Sequence, residues 1–261
     1  MKLEEQARAA LTRGDLATAA HAAQALISEA PERGAGFFLL GMTAAQAGQI
    51  AKAVPLIEAA VERDPNPEHL AQFAKLLILQ RRDGEAAAAA QRAMELQPND
   101  PLTLDTIGCV LARLGRHEES VAPFTAAVAA EPGNLDYRYN LAAASGFTGR
   151  VVEARQHYEA ILAKNPGDAR THYALAILSR QTAESNHVSR LQAALAAAST
   201  PDDVLRISYA LAKELEDIGQ PSEAYPHLSA ANAAHKQTIR YEFAQDEAIF
   251  DAIEALFSGE S

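Results

Sequence analysis

The sequence predicts an all-α protein that consists of about seven repeated helix hairpins. Alanine dominates the apolar residues and Trp is absent, a composition that favours helices over strands. Prolines recur at intervals of 33 or 34 residues, at Pro31, Pro65, Pro98, Pro132 and Pro166. Glycines recur in the same rhythm, at Gly14, Gly48, Gly84, Gly115, Gly149 and Gly219. A fixed period of this length is typical of a stack of two-helix repeats.

Each repeat reads as a helix A, a turn and a helix B. We number the residue that lies three after each proline as position 1. The glycine at position 15 can adopt a positive φ and end helix A. Small residues at position 8 (Gly41, Gly108) and position 20 (Ala53) let the two helices approach closely, while larger residues fill the space around them. The proline ends helix B, since it cannot continue a helix.

The repeat boundaries follow from this numbering. The predicted solenoid covers residues 1–238, with repeats at about 1–33, 34–67, 68–100, 101–134, 135–168, 169–203 and 204–238, and residues 239–261 form a capping helix and connector. The third repeat is one residue short and places Lys75 at position 8, which predicts looser packing and a hinge. The sixth repeat lacks the glycine turn.

The last segment, "YEFAQDEAIFDAIEALF", shows apolar residues near helical spacing. They are Phe243, Ile249, Ile253 and Phe257. We expect this helix to cover the exposed face of repeat seven.

Charge and cysteine content exclude several classes of protein. The net charge is −11, and no Lys/Arg run appears, so neither nucleic acid nor an anionic membrane is an expected partner. The single cysteine, Cys109, excludes an intramolecular disulfide. No apolar run reaches the length of a signal peptide or a membrane span, which predicts a cytoplasmic protein.

Signs of catalysis are weak. The chain has no Gly-rich phosphate loop, and none of its eight histidines is paired at i, i+4, so we expect no cofactor, no metal and no enzymatic activity. Cys109 reads as a buried or groove-lining thiol because no base partner accompanies it. The acidic groups of "KELED" (213–217) and "HEES" (117–120) read as solvated helix faces.

Two stretches carry a family resemblance. They are "NLAAASGFTGRVVEARQHYEAILAKNPGD" (140–168) and "TIGCVLARLGRHEESVAPFTAAVAAEPGN" (106–134). They resemble the tetratricopeptide repeat family, and the pattern extends over nearly the whole chain. The resemblance implies a right-handed superhelical solenoid in which helix A positions 2, 5, 9 and 12 face the concave side.

On this surface we expect a peptide-binding groove. Its N-terminal half is apolar and includes Phe38, Met42, Leu76, Leu79 and Leu102. Its C-terminal half is aromatic and cationic, with Tyr139, Asn140, Arg170, Tyr173, Arg206, Tyr209 and Lys213, which suits an acidic peptide. A second interpretation is equally open: the aromatic residues at position 5 pack between adjacent A helices and bind nothing.

The C-terminal part carries a second resemblance. Its elements are "YALAKELEDIG", "EAYPHLSAAN", "HKQTIRY" and a helix ending in Phe. They are similar to the last repeat and connector of bacterial proteins that join tetratricopeptide repeats to a sulfotransferase domain. This implies a non-catalytic N-terminal solenoid that presents a protein substrate. The alternative is a stand-alone adaptor of bacterial assembly or secretion machinery. Uncapped solenoid ends tend to stack, so an end-to-end homodimer is a further expectation.

Overall fold

The computed structural model describes residues 2–239 and 242–258, and within these ranges the regular structure is helical with no strand. The chain divides into two compact units between Ile161 and Leu162. The first unit contains α1 (Lys2–Thr12), α2 (Leu16–Glu29), α3 (Gly34–Gln46), α4 (Ile50–Arg63), α5 (Pro67–Leu79), α6 (Asp83–Glu95), α7 (Pro101–Arg113), α8 (His117–Ala130) and α9 (Leu135–Phe147). The boundary lies within α10 (Val151–Lys164), and α11 (Ala169–Leu178), α12 (Val188–Ala197), α13 (Pro201–Asp217), α14 (Pro221–Lys236) and α15 (Phe243–Ser258) follow.

In the first unit, odd-numbered helices are the A helices and even-numbered helices the B helices. The small residue at position 8 is where the two approach most closely. A Cβ on Gly41 would lie 2.7 Å from the Ile57 side chain, and one on Gly108 would lie 2.6 Å from the Phe124 ring. Ile57 and Phe124 are buried, so neither could move aside easily. The predicted role of position 8 is therefore confirmed in these two repeats.

The ends of the helices are set by short-range backbone chemistry. Five glycines that follow A helices have φ between 73° and 82°: Gly14, Gly48, Gly115, Gly149 and Gly219. At the other end of the A helices, side chains accept hydrogen bonds from unpaired backbone N–H groups of the first turn. These N-caps are Asn66, Asp100, Asn134, Asp168 and Thr200. Each cap contributes about 1 kcal/mol to helix stability.

The third repeat corrects two of the expectations. The turn between α4 and α5 comprises residues 64–66, one fewer than the turn of residues 30–33 between α2 and α3. Helix α5 therefore begins at Pro67 and its positions shift by one. Ala74, fully buried, takes the close-packing position, whereas Lys75 is exposed, so the predicted loose packing around Lys75 is wrong. The left-handed turn residue is likewise Arg81 (φ 61°) and not Gly84, which lies inside α6.

In the second unit, the sixth repeat departs from the pattern as expected. Helix α11 stops at Leu178, and residues 179–187 form a loop before α12. Helix α13 holds this loop in place. Glu214, fully buried, accepts a hydrogen bond from the backbone N–H of His187 (2.5 Å), and its other oxygen lies 2.8 Å from His187 Nδ1.

The neighbouring turn of α13 fixes the start of the same loop. Asp217 accepts hydrogen bonds from the Gln181 backbone N–H (2.8 Å) and from Lys213 Nζ (2.6 Å), and Lys213 also donates to the Ser179 carbonyl. Burial acts to raise the pKa of Asp217, but the hydrogen bonds from Lys213 and Gln181 hold it below its ordinary value. The interpretation of "KELED" as a solvated face is therefore wrong for Glu214 and Asp217, because the glycine-free sixth repeat needs these groups to fix its loop.

Helix α15 forms where the sequence predicts a helix. Its large apolar side chains, however, are between 48% and 84% exposed. They include Phe243, Ile249, Phe250, Ile253, Leu256 and Phe257. They are not buried on repeat seven in the described structure, so the capping role stays a prediction. The rest of the predicted connector, residues 240–241 and 259–261, lies outside the described residues.

Candidate functional site

The candidate site of the first unit is a groove formed by its A helices, which we call the N-terminal groove. It contains two hollows, of about 430 Å³ and 620 Å³. The smaller hollow is lined by α1, α3, α5, the start of α7 and Ile50 at the start of α4. The larger one is lined by α5, α7, the α5–α6 turn and Asp83 at the start of α6. Lys75, Leu79 and Leu102 line both, so the two hollows form one continuous surface.

The smaller hollow brings together four predicted site residues: Phe38, Met42, Leu76 and Leu102. Their exposure differs. Phe38 and Leu76 are 2% and 4% exposed, Met42 is half-buried, and Leu102 is 58% exposed. The Phe38 ring stacks on the His69 imidazole, with ring centroids 4.3 Å apart. For Phe38 the structure thus favours the packing interpretation of position 5.

An ion pair crosses the wall of the smaller hollow. The Arg8 guanidinium donates two hydrogen bonds to the Glu68 carboxylate, at 2.8 and 3.0 Å, and its central carbon lies 5.7 Å from the centroid of the Phe38 ring. The hydrogen bonds to Glu68 raise the pKa of Arg8. This bidentate contact connects α1 to α5. Arg8 and Glu68 therefore stabilise the fold, and each charge is already paired within the protein.

The larger hollow has an apolar floor and a charged rim in which three cations outnumber two carboxylates, Asp83 and Asp105. Leu79 and Leu102 are 60% and 58% exposed, an unusual exposure for two leucines that face the same hollow. Around them lie three exposed cations, Lys75, Arg81 and Arg113. Within the described part of the chain, none of these cations makes a hydrogen bond or an ion pair closer than 4.0 Å.

Three polar groups meet at the edge of the larger hollow. Asn140 donates a hydrogen bond to the Asp105 carboxylate (2.9 Å), and the Cys109 thiol lies 3.8 Å from the same carboxylate. Burial raises the pKa of Asp105. Cys109 is exposed by surface area, but partial desolvation of its thiol and the negative charge of nearby Asp105 raise its pKa to about 12. Cys109 therefore lines the groove, as one interpretation predicted, and stays a thiol at neutral pH.

In the second unit, the predicted cationic and aromatic residues come together only in part. Tyr173, Arg206 and Tyr209 line a small hollow of about 230 Å³, and Arg170 lines a neighbouring polar hollow with Arg206. Arg206 pairs with Asp202 (2.8 Å), and the Tyr209 hydroxyl donates to Asn232 (2.8 Å).

Lys213 does not belong to this cluster at all. Its ammonium group is held by Asp217 and the Ser179 carbonyl, as described above. The prediction that Lys213 offers a positive charge to a ligand is therefore wrong, because the loop of the sixth repeat occupies it.

The third predicted tyrosine, Tyr139, belongs to the first unit. Its ring packs against Tyr158 of α10, with centroids 5.6 Å apart and planes at 59°. The contact is between the two helices of one hairpin, which again agrees with the packing interpretation. A ladder that runs from Tyr139 to Tyr209 stays a prediction.

Sequence reasoning missed the three cations of the N-terminal groove. Arg81 has a positive φ that the sequence alone does not indicate. Lys75 lies at position 9 of its repeat and not at the predicted position 8. A signal was present: Asn66 is an N-cap and Pro67 a first-turn proline. A register with Pro67 at position 1, in place of Glu68, puts Lys75 at position 9, which is expected to face the concave side.

Metal-binding clusters and membrane-spanning helices are both absent from the described residues. No group of three or more His, Cys, Asp or Glu side chains among them is placed to hold a metal ion. No helix within the described ranges has both the length and the apolar character of a membrane span.

Comparison with known proteins agrees with the repeat architecture. Family models described as tetratricopeptide repeat match residues 4–67 and 38–101, and a further one matches residues 111–178. The structure of YrrB, described as a TPR protein with an unusual peptide-binding site, is 15% identical with a TM-score of 0.54, covering 79% of this chain and 97% of YrrB. PilW, a type IV pilus biogenesis factor, is 21% identical with a TM-score of 0.56, covering 74% of this chain and 91% of PilW.

Curated relatives match over shorter stretches. The peroxisomal targeting signal receptor of Kluyveromyces lactis is 30% identical over 108 residues, which are 41% of this chain and 18% of the receptor. The TPR repeat-containing thioredoxin TTL4 of Arabidopsis thaliana is 31% identical over 110 residues, 42% of this chain and 16% of that protein. The chain thus spans less than a fifth of either relative. The predicted fold class, an all-α solenoid of helix hairpins, is confirmed, and the chain belongs to the tetratricopeptide repeat family of protein-interaction scaffolds.

Proposed function

We propose that this scaffold binds a peptide segment of a partner protein in the N-terminal groove, with the larger hollow as the main contact. The observation that carries the proposal is the pair of exposed leucines, Leu79 and Leu102, inside a hollow of about 620 Å³. Burial of this apolar surface under a ligand would contribute about 25 cal/mol for each Å² removed from water.

The chemistry of the rim indicates the class of peptide. Lys75, Arg81 and Arg113 place three positive charges beside the leucines, against the two carboxylates of Asp83 and Asp105, in a chain whose net charge is −11. A peptide with both carboxylates and apolar side chains would meet complementary groups in this hollow. We therefore place the acidic ligand expected from the sequence in the groove of the first unit. The second unit is a weaker candidate, because its cations Arg206 and Lys213 already pair with carboxylates of the protein.

The comparisons lend support of a general kind. YrrB is described as a TPR protein with an unusual peptide-binding site, and the relative from Kluyveromyces lactis is a peroxisomal targeting signal receptor. Both are consistent with a groove that recognises short segments of other proteins.

The test is binding of fluorescently labelled peptides to the full chain, measured by fluorescence anisotropy with a set of peptides that vary in acidic and apolar content. We expect acidic, apolar peptides to bind, and Leu79→Asp to weaken them about tenfold or more, since it places a charge in the apolar floor. Leu96→Asp is the matched control, because Leu96 is 50% exposed outside both hollows. Equal binding by the two variants, or no binding by any peptide, would contradict the proposal.

The identity of the parent protein is a finer proposal. The C-terminal resemblance supports a bacterial, cytoplasmic sulfotransferase of which this chain is the non-catalytic, substrate-presenting part. The alternative is a stand-alone adaptor of assembly or secretion machinery that uses the same groove. The reading frame after codon 261 separates them: a phosphosulfate-binding loop with Arg-Ser-Gly-Thr supports the enzyme, and an immediate stop codon supports the adaptor.

A further inference from the structure

We propose that helix α15 of one copy of this chain occupies the N-terminal groove of a second copy. The proposal rests on the proposed function of that groove and names its partner. It also replaces end-to-end stacking of the solenoids as the route to a homodimer, because it commits two specific surfaces to each other.

The first surface is the apolar side of α15. Phe250, Ile253 and Phe257 are 64%, 48% and 84% exposed, and their i, i+3, i+7 spacing places them on one side of the helix. Ile249 and Leu256 extend the same side. A helix that lays such a set of anchors into an apolar groove is a recurrent mode of peptide recognition.

The second feature of α15 is its charge. The helix carries no Lys or Arg, and Glu247, Asp251 and Glu254 lie on one stripe at i, i+4, i+7, all exposed. This stripe borders the apolar side. A ligand helix with this arrangement offers carboxylates and large apolar side chains at the same time, which is the class of peptide that the groove favours.

The N-terminal groove presents complementary groups with a small excess of positive charge, because its three cations face two carboxylates, Asp83 and the Asn140-bound Asp105. Leu79 and Leu102 would receive the aromatic anchors of α15, and Lys75, Arg81 and Arg113 would face its acidic stripe. Opposite charges at the rim of an interface select the partner and its orientation more than they add affinity. The α15 helix is about 24 Å long, given a rise of 1.5 Å per residue over its 16 residues.

A second copy satisfies both surfaces at once. The groove belongs to the first compact unit and α15 to the second, so every copy carries one donor and one acceptor. A two-fold dimer in which each copy gives its helix to the other buries two helices in two grooves, and such reciprocal contacts are the usual form of a homodimer.

The experiment is sedimentation velocity of the full chain between about 1 µM and about 100 µM, a range that brackets micromolar dissociation. We expect a concentration-dependent dimer. Phe250→Glu in α15 and Arg113→Glu in the groove should each weaken it about tenfold or more, and Tyr225→Glu should not, because Tyr225 is 72% exposed on α14 outside both surfaces. The double variant Arg113→Glu, Glu254→Lys should regain part of the lost association, since it restores opposite charges.

A labelled peptide of residues 242–258, tested by anisotropy against the full chain, completes the design. Displacement of α15 by this peptide, with loss of dimer, supports the proposal. A chain that stays monomeric at every concentration overturns the proposal, even if its groove binds the peptide. A dimer that is unchanged by Phe250→Glu and Arg113→Glu also overturns it. If the chain stays monomeric while acidic, apolar library peptides bind and Leu79→Asp abolishes their binding, the groove function stands and this proposal fails. If the chain is monomeric and no peptide binds, both fail.

Discussion

At the scale of single residues, the third repeat separates backbone conformation from residue identity. Arg81 takes the left-handed position that glycine holds elsewhere, and the Arg82 N–H bonds to the Leu77 carbonyl just as the Gln49 N–H bonds to the Ala44 carbonyl. Gly84, three residues later, has an ordinary helical backbone in α6 and open space around its Cα. Glycine is thus favoured at the left-handed turn position, where Arg81 shows that another residue can also stand, and is only tolerated inside α6.

This difference predicts opposite signs for two glycine substitutions. Gly84→Ala should raise the free energy of unfolding by about 0.5–1 kcal/mol, since alanine loses less entropy in a helix. Gly48→Ala should lower it by about 1–2 kcal/mol, because Gly48 has φ 74° and alanine is strained there. Urea unfolding followed by circular dichroism measures both. Two changes of the same sign would mean that Gly84, and not Arg81, fills the turn position.

The Cys109 thiol offers a second residue-scale prediction. With a pKa near 12, the fraction of thiolate should rise with each pH unit through pH 10, and alkylation by iodoacetamide should rise with it. An unperturbed thiol would level off above its ordinary pKa of about 8.5. Asp105→Asn removes the nearest negative charge, so it should lower the pKa and speed alkylation at pH 8. Asp83→Asn, in the same hollow, is the control. A plateau near pH 9 in the unchanged chain would contradict this.

At the scale of helices and loops, the sixth repeat shows how polar groups replace a missing turn. Glu214 is fully buried and binds both the backbone and the ring of His187, whereas Glu216, two residues along α13, is exposed. Glu216 therefore serves as a control for Glu214, because it lies on the same helix but makes no hydrogen bond to the loop among the described residues.

Glu214→Gln should destabilise the loop of residues 179–187. The amide has one acceptor oxygen in place of two, so one His187 donor would lose its partner at a cost of about 1–3 kcal/mol. We expect faster limited proteolysis between residues 179 and 187 and an unchanged pattern for Glu216→Gln. If both variants are cut at the rate of the unchanged chain, the loop is held by other contacts.

The same elements show what sequence could and could not predict. The helix hairpins and the close approach at Gly41 and Gly108 follow from a local period, and they were predicted correctly. The register of α5 was predicted incorrectly, because the third repeat is one residue short in the turn that precedes this helix. In that turn, neither Pro65 nor Pro67 alone fixes the first helical position. The role of Glu214 was not predicted because it depends on a contact with His187, 27 residues away in sequence.

In the candidate site, too, the sequence predicts features that follow the local period and not those that depend on distant contacts. The apolar residues Met42, Leu76 and Leu102 line one hollow, since they follow the helical period, and their role in binding a peptide stays a prediction. The charges were not predicted correctly, because the pairing of a cation depends on side chains from other helices. Lys213 looked available in sequence but is bound, and Lys75 looked buried but is exposed.

At the scale of the whole molecule, we expect each of the two compact units to have its own free energy of opening. Repeats that contact only their neighbours open in parts, so a destabilising change should act mainly within its own unit. Gly108→Ala provides a change in the first unit, because its Cβ would lie 2.6 Å from the buried Phe124 ring, and overpacking of this kind costs about 1–3 kcal/mol. Glu214→Gln provides one in the second.

Hydrogen exchange followed by mass spectrometry should therefore resolve the two variants by region. Gly108→Ala should speed exchange in α7 and α8 and leave α13 and α14 near their original rates, and Glu214→Gln should do the reverse. The comparison must be made under conditions that favour the folded state, where exchange reports partial opening and not complete unfolding. Equal acceleration across both units by either variant would show that the chain opens as one cooperative body, and the division between Ile161 and Leu162 would then have no energetic counterpart.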